Sequence, residues 1–279
     1  MSKITDVVKL KTGYANFVEL KSAFEESREN ADRMSMYRPT KGHRAAFERL
    51  FRGLIQPNDK KFYLLSGSYG TGKSHLCLMF ANFLSRSSGD PQVQGFYDNY
   101  AKLDAQKAKE MRNVRKDGQF LVAICDYHSG RKFEDVVLKA IFDACEAQGL
   151  DAGVESEFDE AERQLAKWEE MGSGGIRNFY EDFEKTLEKV APGFSAAQLR
   201  DGLKDYDSES LEKFHLAYRE AMGGRDFQAE AGNLIPIVRK LIKSKAFKER
   251  FKGVAVLFDE FGYTLERHAY SKDVLHGFM

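Results

Sequence analysis

Residues 67–74 read Gly-Ser-Tyr-Gly-Thr-Gly-Lys-Ser, and the apolar run Phe62-Tyr63-Leu64-Leu65 lies just before them. The octapeptide follows the pattern G-x-x-x-x-G-K-[ST], in which glycines let the backbone curl around a phosphate with its N–H groups pointing inward. In such a loop Lys73 would reach the β- and γ-phosphates, and the Ser74 hydroxyl would bind Mg²⁺. The sequence therefore predicts a strand, a phosphate-binding loop and a helix, with the positive end of the helix dipole at the phosphate.

The segment after the loop supports this prediction. Residues 75–84 read His-Leu-Cys-Leu-Met-Phe-Ala-Asn-Phe-Leu, which is typical of a mostly buried helix. The alternative is a glycine-rich turn that binds nothing, and the surrounding strand and helix pattern disfavours it.

A second motif lies near the end of the sequence. Residues 254–260 read Val-Ala-Val-Leu-Phe-Asp-Glu, an apolar strand that ends in two carboxylates, as in a Walker B motif. Asp259 would hold the Mg²⁺ shell, often through water, and Glu260 would orient the water that attacks the γ-phosphate. The alternative is an ordinary buried strand that ends in a solvated acidic turn.

A further apolar run, residues 120–127, ends in Cys125-Asp126-Tyr127 and predicts a buried parallel strand followed by a helix from Phe133 to Gln148. Polar residues at such strand ends line the ligand crevice of doubly wound sheets. Asp126 and His128 are therefore candidates for contact with Glu260, and turn or helix-cap chemistry is the alternative.

These elements predict an α/β fold: a P-loop NTPase with a parallel sheet flanked by helices and a large helical insertion. Residues 1–60 would be an N-terminal helical or linker segment, residues 61–150 and 250–279 the ATPase core, and residues 151–249 the insertion. Tyr37, Arg38 and Pro39 precede the first strand and are candidates for packing against adenine, with a plain loop as the alternative.

Composition limits the class of protein. The chain has 279 residues with 43 Lys+Arg and 43 Asp+Glu, so a wholly basic nucleic-acid-binding surface is not indicated, although a local patch is compatible. The basic helix predicted near residues 101–115 would be a solvated face, with nucleic-acid contact as the alternative. Three cysteines without metal spacing suggest reduced thiols in a cytoplasmic protein. No apolar run is long enough to span a bilayer, and residues 1–6, Met-Ser-Lys-Ile-Thr-Asp, do not have the apolar h-region of a signal peptide.

The sequence after Glu260 lacks an expected element. In ATPases with an Asp-Glu pair, further strands usually follow the Walker B strand in the sequence. One of them lies in the sheet between the loop strand and the Walker B strand and carries a polar residue that senses the γ-phosphate. No such strand is recognisable here. We therefore expect the chain to be the N-terminal part of a larger protein, since a central parallel strand is rarely omitted. An unusual strand arrangement is the alternative.

The segments Gly-Ser-Tyr-Gly-Thr-Gly-Lys-Ser-His-Leu (67–76) and Leu-Phe-Asp-Glu-Phe-Gly (257–262) resemble the large, AAA+-like ATPases of bacterial phage-defence systems. These are the BREX-type ATPases and those of phosphorothioate-linked DNA modification and restriction. The resemblance implies ATP and Mg²⁺ as cofactors, protein partners in a DNA-modification or restriction complex, DNA bound directly or through those partners, and a possible homo-oligomer. By resemblance the functional residues carried over are Gly72, Lys73, Ser74, Asp259 and Glu260; no arginine-finger or sensor position can be matched.

The sequence thus favours an ATPase that drives or switches a DNA-acting defence complex, with Lys73 and Glu260 as catalytic residues and Ser74 and Asp259 at the metal. The residues expected to bind the nucleotide are Gly67, Ser68, Tyr69, Gly70, Thr71, Gly72, Lys73, Ser74, His75, Tyr37 and Arg38. The alternative function is a nucleotide-gated scaffold that does not hydrolyse ATP. A GTP switch is disfavoured because the chain has no [NT]-K-x-D motif for reading guanine.

Overall fold

The computed structural model describes residues 18–56, 58–59, 61–116, 118–126, 131–172, 178–230 and 234–270. The chain divides into two compact units, Met1–Lys116 and Asp117–Met279. The predicted division into an N-terminal segment, an ATPase core and an insertion stays a prediction.

The described part of the first unit is helical. Its elements are α1 (Leu20–Glu25), α2 (Ser27–Met36), α3 (Lys41–Ile55), α4 (Lys73–Ser85), α5 (Pro91–Ala101) and α6 (Ala105–Lys116). Thr40 caps α3, because its side chain accepts a hydrogen bond from the backbone N–H of His43. Helix α5 was not predicted, although Asp90 at its N-cap and Pro91 at its first position are typical of a helix start.

Helix α4 lies in the core of the first unit, as its apolar sequence predicts. Phe80 and Phe83 of α4 pack edge-on against Phe47 of α3, with ring centroids 5.2 and 5.4 Å apart. On another side Asn82 and Asn30 of α2 are both fully buried and exchange hydrogen bonds of 2.6 and 2.9 Å between their amides. This pairing satisfies the two buried polar groups and fixes α2 against α4.

The second unit combines two strands with helices. Its described elements are β1 (Gln119–Cys125), α7 (Phe133–Ala147), α8 (Glu157–Met171), α9 (Phe179–Val190), α10 (Ala196–Lys204), α11 (Ser208–Ala221), α12 (Leu234–Lys243), α13 (Lys245–Arg250), β2 (Phe251–Phe258) and α14 (Phe261–Tyr270). Strands β1 and β2 pair in parallel, in a register that runs from Leu121 opposite Val254 to Cys125 opposite Phe258. Alternate residues of β1, from Leu121 to Cys125, pack against α7.

Helices α8 to α11 share one aromatic core, which agrees with the helical pattern of this segment. Trp168 of α8 stacks on Phe179 and on Tyr218, with ring centroids 6.2 and 5.5 Å apart. Helix α12 ends at Lys243, and the side chain of Ser244 caps the next helix, α13.

The predicted fold class is wrong. We expected an α/β protein with a parallel sheet flanked by helices, but the described residues are mostly helical and contain only a two-stranded sheet. The strand expected at Phe62–Leu65 is absent: residues 61–68 have no regular secondary structure, and Phe62 and Leu64 are 74% and 60% exposed. A short apolar run does not by itself establish a strand, since a strand also needs a neighbour that pairs its backbone groups.

Helices of the described ranges are too short or too polar to cross a lipid bilayer.

Candidate phosphate-binding loop and acidic turn

The loop before α4 has the backbone conformation that its glycines allow. Gly70 and Gly72 have φ angles of +76° and +82°, and Gly72 is the left-handed N-cap of α4. A Cβ atom on Gly72 would also lie 2.8 Å from Cε1 of His43, so this position requires glycine for both strain and space. Helix α4 begins at Lys73, as predicted, and Ser74 is its second residue.

Four successive backbone donors of this loop make no hydrogen bond with the described part of the protein. Within the described part of the chain, the backbone N–H groups of Tyr69, Gly70, Thr71 and Gly72 donate no hydrogen bond. Residues 67–71 are exposed to solvent, and the Tyr69 side chain is 83% exposed. Successive unpaired N–H groups beside a helix N-terminus form a site that favours an anion.

The ammonium group of Lys73 folds back onto the same loop. Its Nζ donates to the carbonyl oxygens of Gly67 and Ser68 at 3.0 and 3.1 Å, and the Thr71 hydroxyl also donates to Ser68 O at 2.9 Å. A phosphate would offer Lys73 a charged acceptor in place of two neutral carbonyls, and hydrogen bonds between charged groups are the stronger ones.

His43, which no sequence motif marks, contacts the loop from α3. Its Nε2 lies 2.9 Å from Thr71 O, and because a carbonyl only accepts, Nε2 carries the proton and donates. In the neutral ring Nδ1 is then the acceptor for the Tyr37 hydroxyl, 3.2 Å away. Tyr37, His43 and Thr71 thus form a chain of hydrogen bonds that ends on the phosphate loop. The only sequence signal was the position of His43 beside the candidate segment 37–39.

Tyr37 and Arg38 make contacts with residues that are near them in the sequence. Tyr37 is 2% exposed, its ring stacks on His43, and burial raises the pKa of its hydroxyl. The guanidinium of Arg38 donates to the backbone oxygens of Ser35 and Tyr37. Their contact with adenine stays a prediction, and for Tyr37 it would require the stacked rings to separate.

His75 points into the protein. Its ring meets Tyr37 edge-on at 5.1 Å, and its Nε2 is buried without a hydrogen-bond partner. Burial, followed by the nearby charge of Arg33, lowers the pKa of His75. The neutral imidazole is therefore the favoured form in the folded state.

The acidic pair lies directly after β2, as predicted. Asp259 N donates to Cys125 O at 3.1 Å, which extends the ladder to β1 by one residue. Because Cys125 pairs with Phe258, Asp126 and Asp259 leave the two strands at the same edge of the sheet. Glu260 has a φ angle of +52°, which is unusual for a residue with a side chain, and its N–H donates to Asp259 Oδ1 at 3.1 Å.

Three aromatic rings hold this acidic turn. Phe258 stacks on Phe133 at 5.6 Å and meets Phe261 at 5.2 Å, so the residues on either side of Asp259-Glu260 pack against each other and against the start of α7. Phe133 and Phe261 were not singled out from the sequence, because their contact depends on the pairing of β1 with β2.

The candidate residues lie in both units. Lys73 and Ser74 belong to the first unit, Asp126, Asp259 and Glu260 belong to the second, and His128 lies outside the described residues. No group of three His, Cys, Asp or Glu side chains suited to a metal ion occurs in the described ranges. Mg²⁺ in nucleotide sites usually takes one or two protein oxygens together with phosphates and water, so this finding does not bear on the predicted pair Ser74 and Asp259.

Comparisons of the chain with protein-family models, with curated proteins and with solved structures find no significant match.

Proposed function

We propose that the chain binds Mg·ATP at residues 67–74 and hydrolyses it. The observation that carries this proposal is the row of N–H groups from Tyr69 to Gly72, which donate no hydrogen bond within the described residues and lie beside the start of α4. Such a row supplies several donors and the positive end of a helix dipole to one anion. The residues therefore fit a nucleotide phosphate group.

Each residue has a distinct role in the proposal. Lys73 would exchange its two carbonyl acceptors for phosphate oxygens. Ser74 and Asp259 are the residues that would hold Mg²⁺, and the ion would neutralise charge on the phosphates. Glu260 orients the attacking water. The positive φ of Glu260 supports this role, since strained residues are concentrated at functional sites.

The setting of the activity is part of the same proposal. The resemblance of residues 67–76 and 257–262 to phage-defence ATPases supports a motor or switch in a DNA-acting complex with protein partners. The three cysteines form no disulfide bond, and Cys125 and Cys145 are buried, which fits the reducing conditions of the cytoplasm.

The binding step is tested with a fluorescent ATP analogue and the variant Lys73→Ala. We expect the affinity for Mg·ATP to fall about 10- to 100-fold, because a hydrogen bond to a charged group contributes about 1.5–3 kcal/mol. Lys109→Ala removes an exposed lysine of α6 and should bind like the native chain. Equal affinity in the native chain and Lys73→Ala would refute the phosphate-loop assignment.

The hydrolytic step is tested by measuring phosphate release from Mg·ATP in the variant Glu260→Gln. We expect turnover to be lost while binding is kept, and Glu266→Gln, an exposed carboxylate of α14, should leave turnover unchanged. ATP binding without turnover in the native chain would instead favour the nucleotide-gated scaffold.

A further inference from the structure

The zero net charge of the chain conceals two oppositely charged segments. Residues 151–230 contain 20 carboxylates and 10 Lys or Arg, whereas residues 231–252 contain 7 Lys or Arg and a single carboxylate, Glu249. The basic segment covers α12, α13 and the start of β2. Such a concentration of one sign produces a local potential that the overall charge does not reveal.

All seven cations are exposed, and six of them lie on the consecutive helices α12 and α13, a set that we call the basic face: Arg239, Lys240, Lys243, Lys245, Lys248 and Arg250. Ile237 and Leu241 bury the opposite side of α12. Arg239 and Lys240 are four and three residues before Lys243, so the three cations are neighbours on the helix surface. They line a cavity of about 640 Å³ together with Ala152, Gly153, Pro236 and Ser244.

The basic face has little internal compensation. Among the described residues its one ion pair joins Lys245 to Glu249 at 3.8 Å, with both side chains well exposed. Two basic side chains of α12 that are four residues apart repel each other, and no carboxylate of that helix offsets the repulsion. An external polyanion would relieve this repulsion.

The acidic segment is a poorer partner for this face than it seems from its charge. Many of its carboxylates already have cations: Arg200 binds Glu162 and Glu169, and Glu155 pairs with Arg163. In a second copy of the chain, the carboxylates that are in such pairs would have to leave them to reach the basic face. A ligand with regularly spaced, unpaired negative charges meets no such obstacle.

We propose that the basic face binds the phosphodiester backbone of DNA, independently of base sequence. Lys and Arg contacts with phosphates position a protein on DNA without reading its bases. DNA offers one negative charge about every 1.7 Å of duplex, so several of these cations can be neutralised by one short stretch. The contact goes beyond the nucleotide site and needs no ATP.

The test is fluorescence anisotropy of a labelled random-sequence duplex, titrated at several NaCl concentrations without nucleotide. The variant is the triple change Arg239→Gln, Lys240→Gln and Lys243→Gln, which keeps good helix formers at exposed positions. Each phosphate contact contributes about 0.9 to the slope of log K against log salt, so three lost contacts lower it by about 2.7. At ~0.15 M salt this corresponds to about a 100-fold loss of affinity.

The matched control removes three exposed lysines of the first unit through Lys102→Gln, Lys109→Gln and Lys116→Gln. It should keep the native slope. An equal loss in this control, or an unchanged slope in the triple variant, would overturn the proposal. If the triple variant has lost its native circular dichroism, Lys245→Gln with Lys248→Gln on α13 replaces it, with an expected slope change of about 1.8.

Two further measurements separate the remaining explanations. Polyglutamate that competes as well as DNA of equal charge, or salt-sensitive self-association that the triple change abolishes, would show that the face serves a protein partner instead. The triple variant should bind and hydrolyse Mg·ATP like the native chain. The two proposals are therefore tested independently: unchanged DNA binding in this variant would refute only the DNA proposal, and absent ATP binding in the native chain would refute only the nucleotide proposal.

Discussion

Glu260 combines a strained backbone with the role proposed for the attacking water. A left-handed conformation costs a residue with a Cβ about 1–2 kcal/mol, whereas asparagine adopts it more easily. The aromatic contacts of Phe258 and Phe261 hold the turn despite this cost. Strain of this kind is expected where function rather than stability selects the residue.

We therefore expect Glu260→Asn to raise the free energy of unfolding of the second unit by about 0.5–1 kcal/mol while phosphate release is lost. Urea denaturation followed by the fluorescence of Trp168 measures the first quantity. Glu266→Asn is the control, since asparagine in helix α14 should be neutral or slightly destabilising. A stability loss in Glu260→Asn would argue that the side chain, not the backbone strain, determines the turn.

His75 predicts how the stability of the first unit depends on pH. Its pKa in the folded chain is lowered below the ordinary value of 6.5, so the unfolded chain binds more protons as the pH falls through that value. The contribution of neutral His75 to the free energy of unfolding is therefore fully present above about pH 6.5 and is lost progressively as the pH falls below it. His75→Phe keeps an aromatic ring beside Tyr37 and should flatten this dependence. Thermal unfolding of both proteins, measured by far-UV circular dichroism from about pH 7.5 to 5.5, decides the point, and identical profiles would contradict it.

The sequence identifies single residues whose role depends on neighbours a few positions away in the chain. The cap Thr40, the start of α4 at Lys73 and the turn at Asp259-Glu260 each follow from a few adjacent positions. His43 could not be found in this way, because its partner Thr71 is 28 residues away and no pattern links the two.

Backbone carbonyl groups at the C-terminal end of α4 accept hydrogen bonds from one buried cation, Arg115. Arg115 of α6 is 2% exposed, and its guanidinium donates to the carbonyls of Phe83, Leu84 and Arg86 at 2.7, 2.7 and 2.9 Å. These carbonyls have no helical partner of their own, and the charge complements the negative end of the dipole. The same helix carries the phosphate loop at its other end.

Arg115→Met should destabilise the first unit by about 3 kcal/mol, because it leaves several buried carbonyls unpaired. Arg115→Lys should recover only part of this, since an ammonium cannot reproduce the fork of donors. Lys116→Met, an exposed neighbour, should change stability by less than about 0.5 kcal/mol. Thermal unfolding followed by far-UV circular dichroism compares the three variants. A loss no larger in Arg115→Met than in the control would mean that water replaces the guanidinium.

Elements were predictable where sequence pattern and burial agree. Strand β1 and helices α8 to α11 have that agreement. Strand β2 is mostly half-buried and is held by its pairing with β1, whereas Phe62–Leu65 is apolar but has no strand beside it. Pairing between distant segments is a property of the whole chain, so the fold class inferred from three apolar runs did not follow from them. Helix α5 is the opposite case, since it has a local start signal at Asp90-Pro91 that the sequence-based prediction did not use.

The molecule divides its chemistry between two units, and its single tryptophan distinguishes them. Trp168 is 7% exposed in the aromatic core of the second unit, while the phosphate loop belongs to the first. Tryptophan fluorescence therefore reports on the second unit, and far-UV circular dichroism reports on the helices of both. If the units unfold separately, the two signals will not coincide during denaturation.

We expect urea denaturation to show two transitions, of which the one without a fluorescence change belongs to the first unit. Mg·ATP at about 100 times its dissociation constant should stabilise this transition by about 2.7 kcal/mol, since a ligand that binds only the native state acts through mass action. Lys73→Ala should remove the shift at the same nucleotide concentration. A parallel shift of the fluorescence transition that Asp259→Ala abolishes would place the acidic turn on the same nucleotide, as hydrolysis requires. Coincident signals that Mg·ATP leaves unchanged would contradict both the separate unfolding of the units and the proposed nucleotide site.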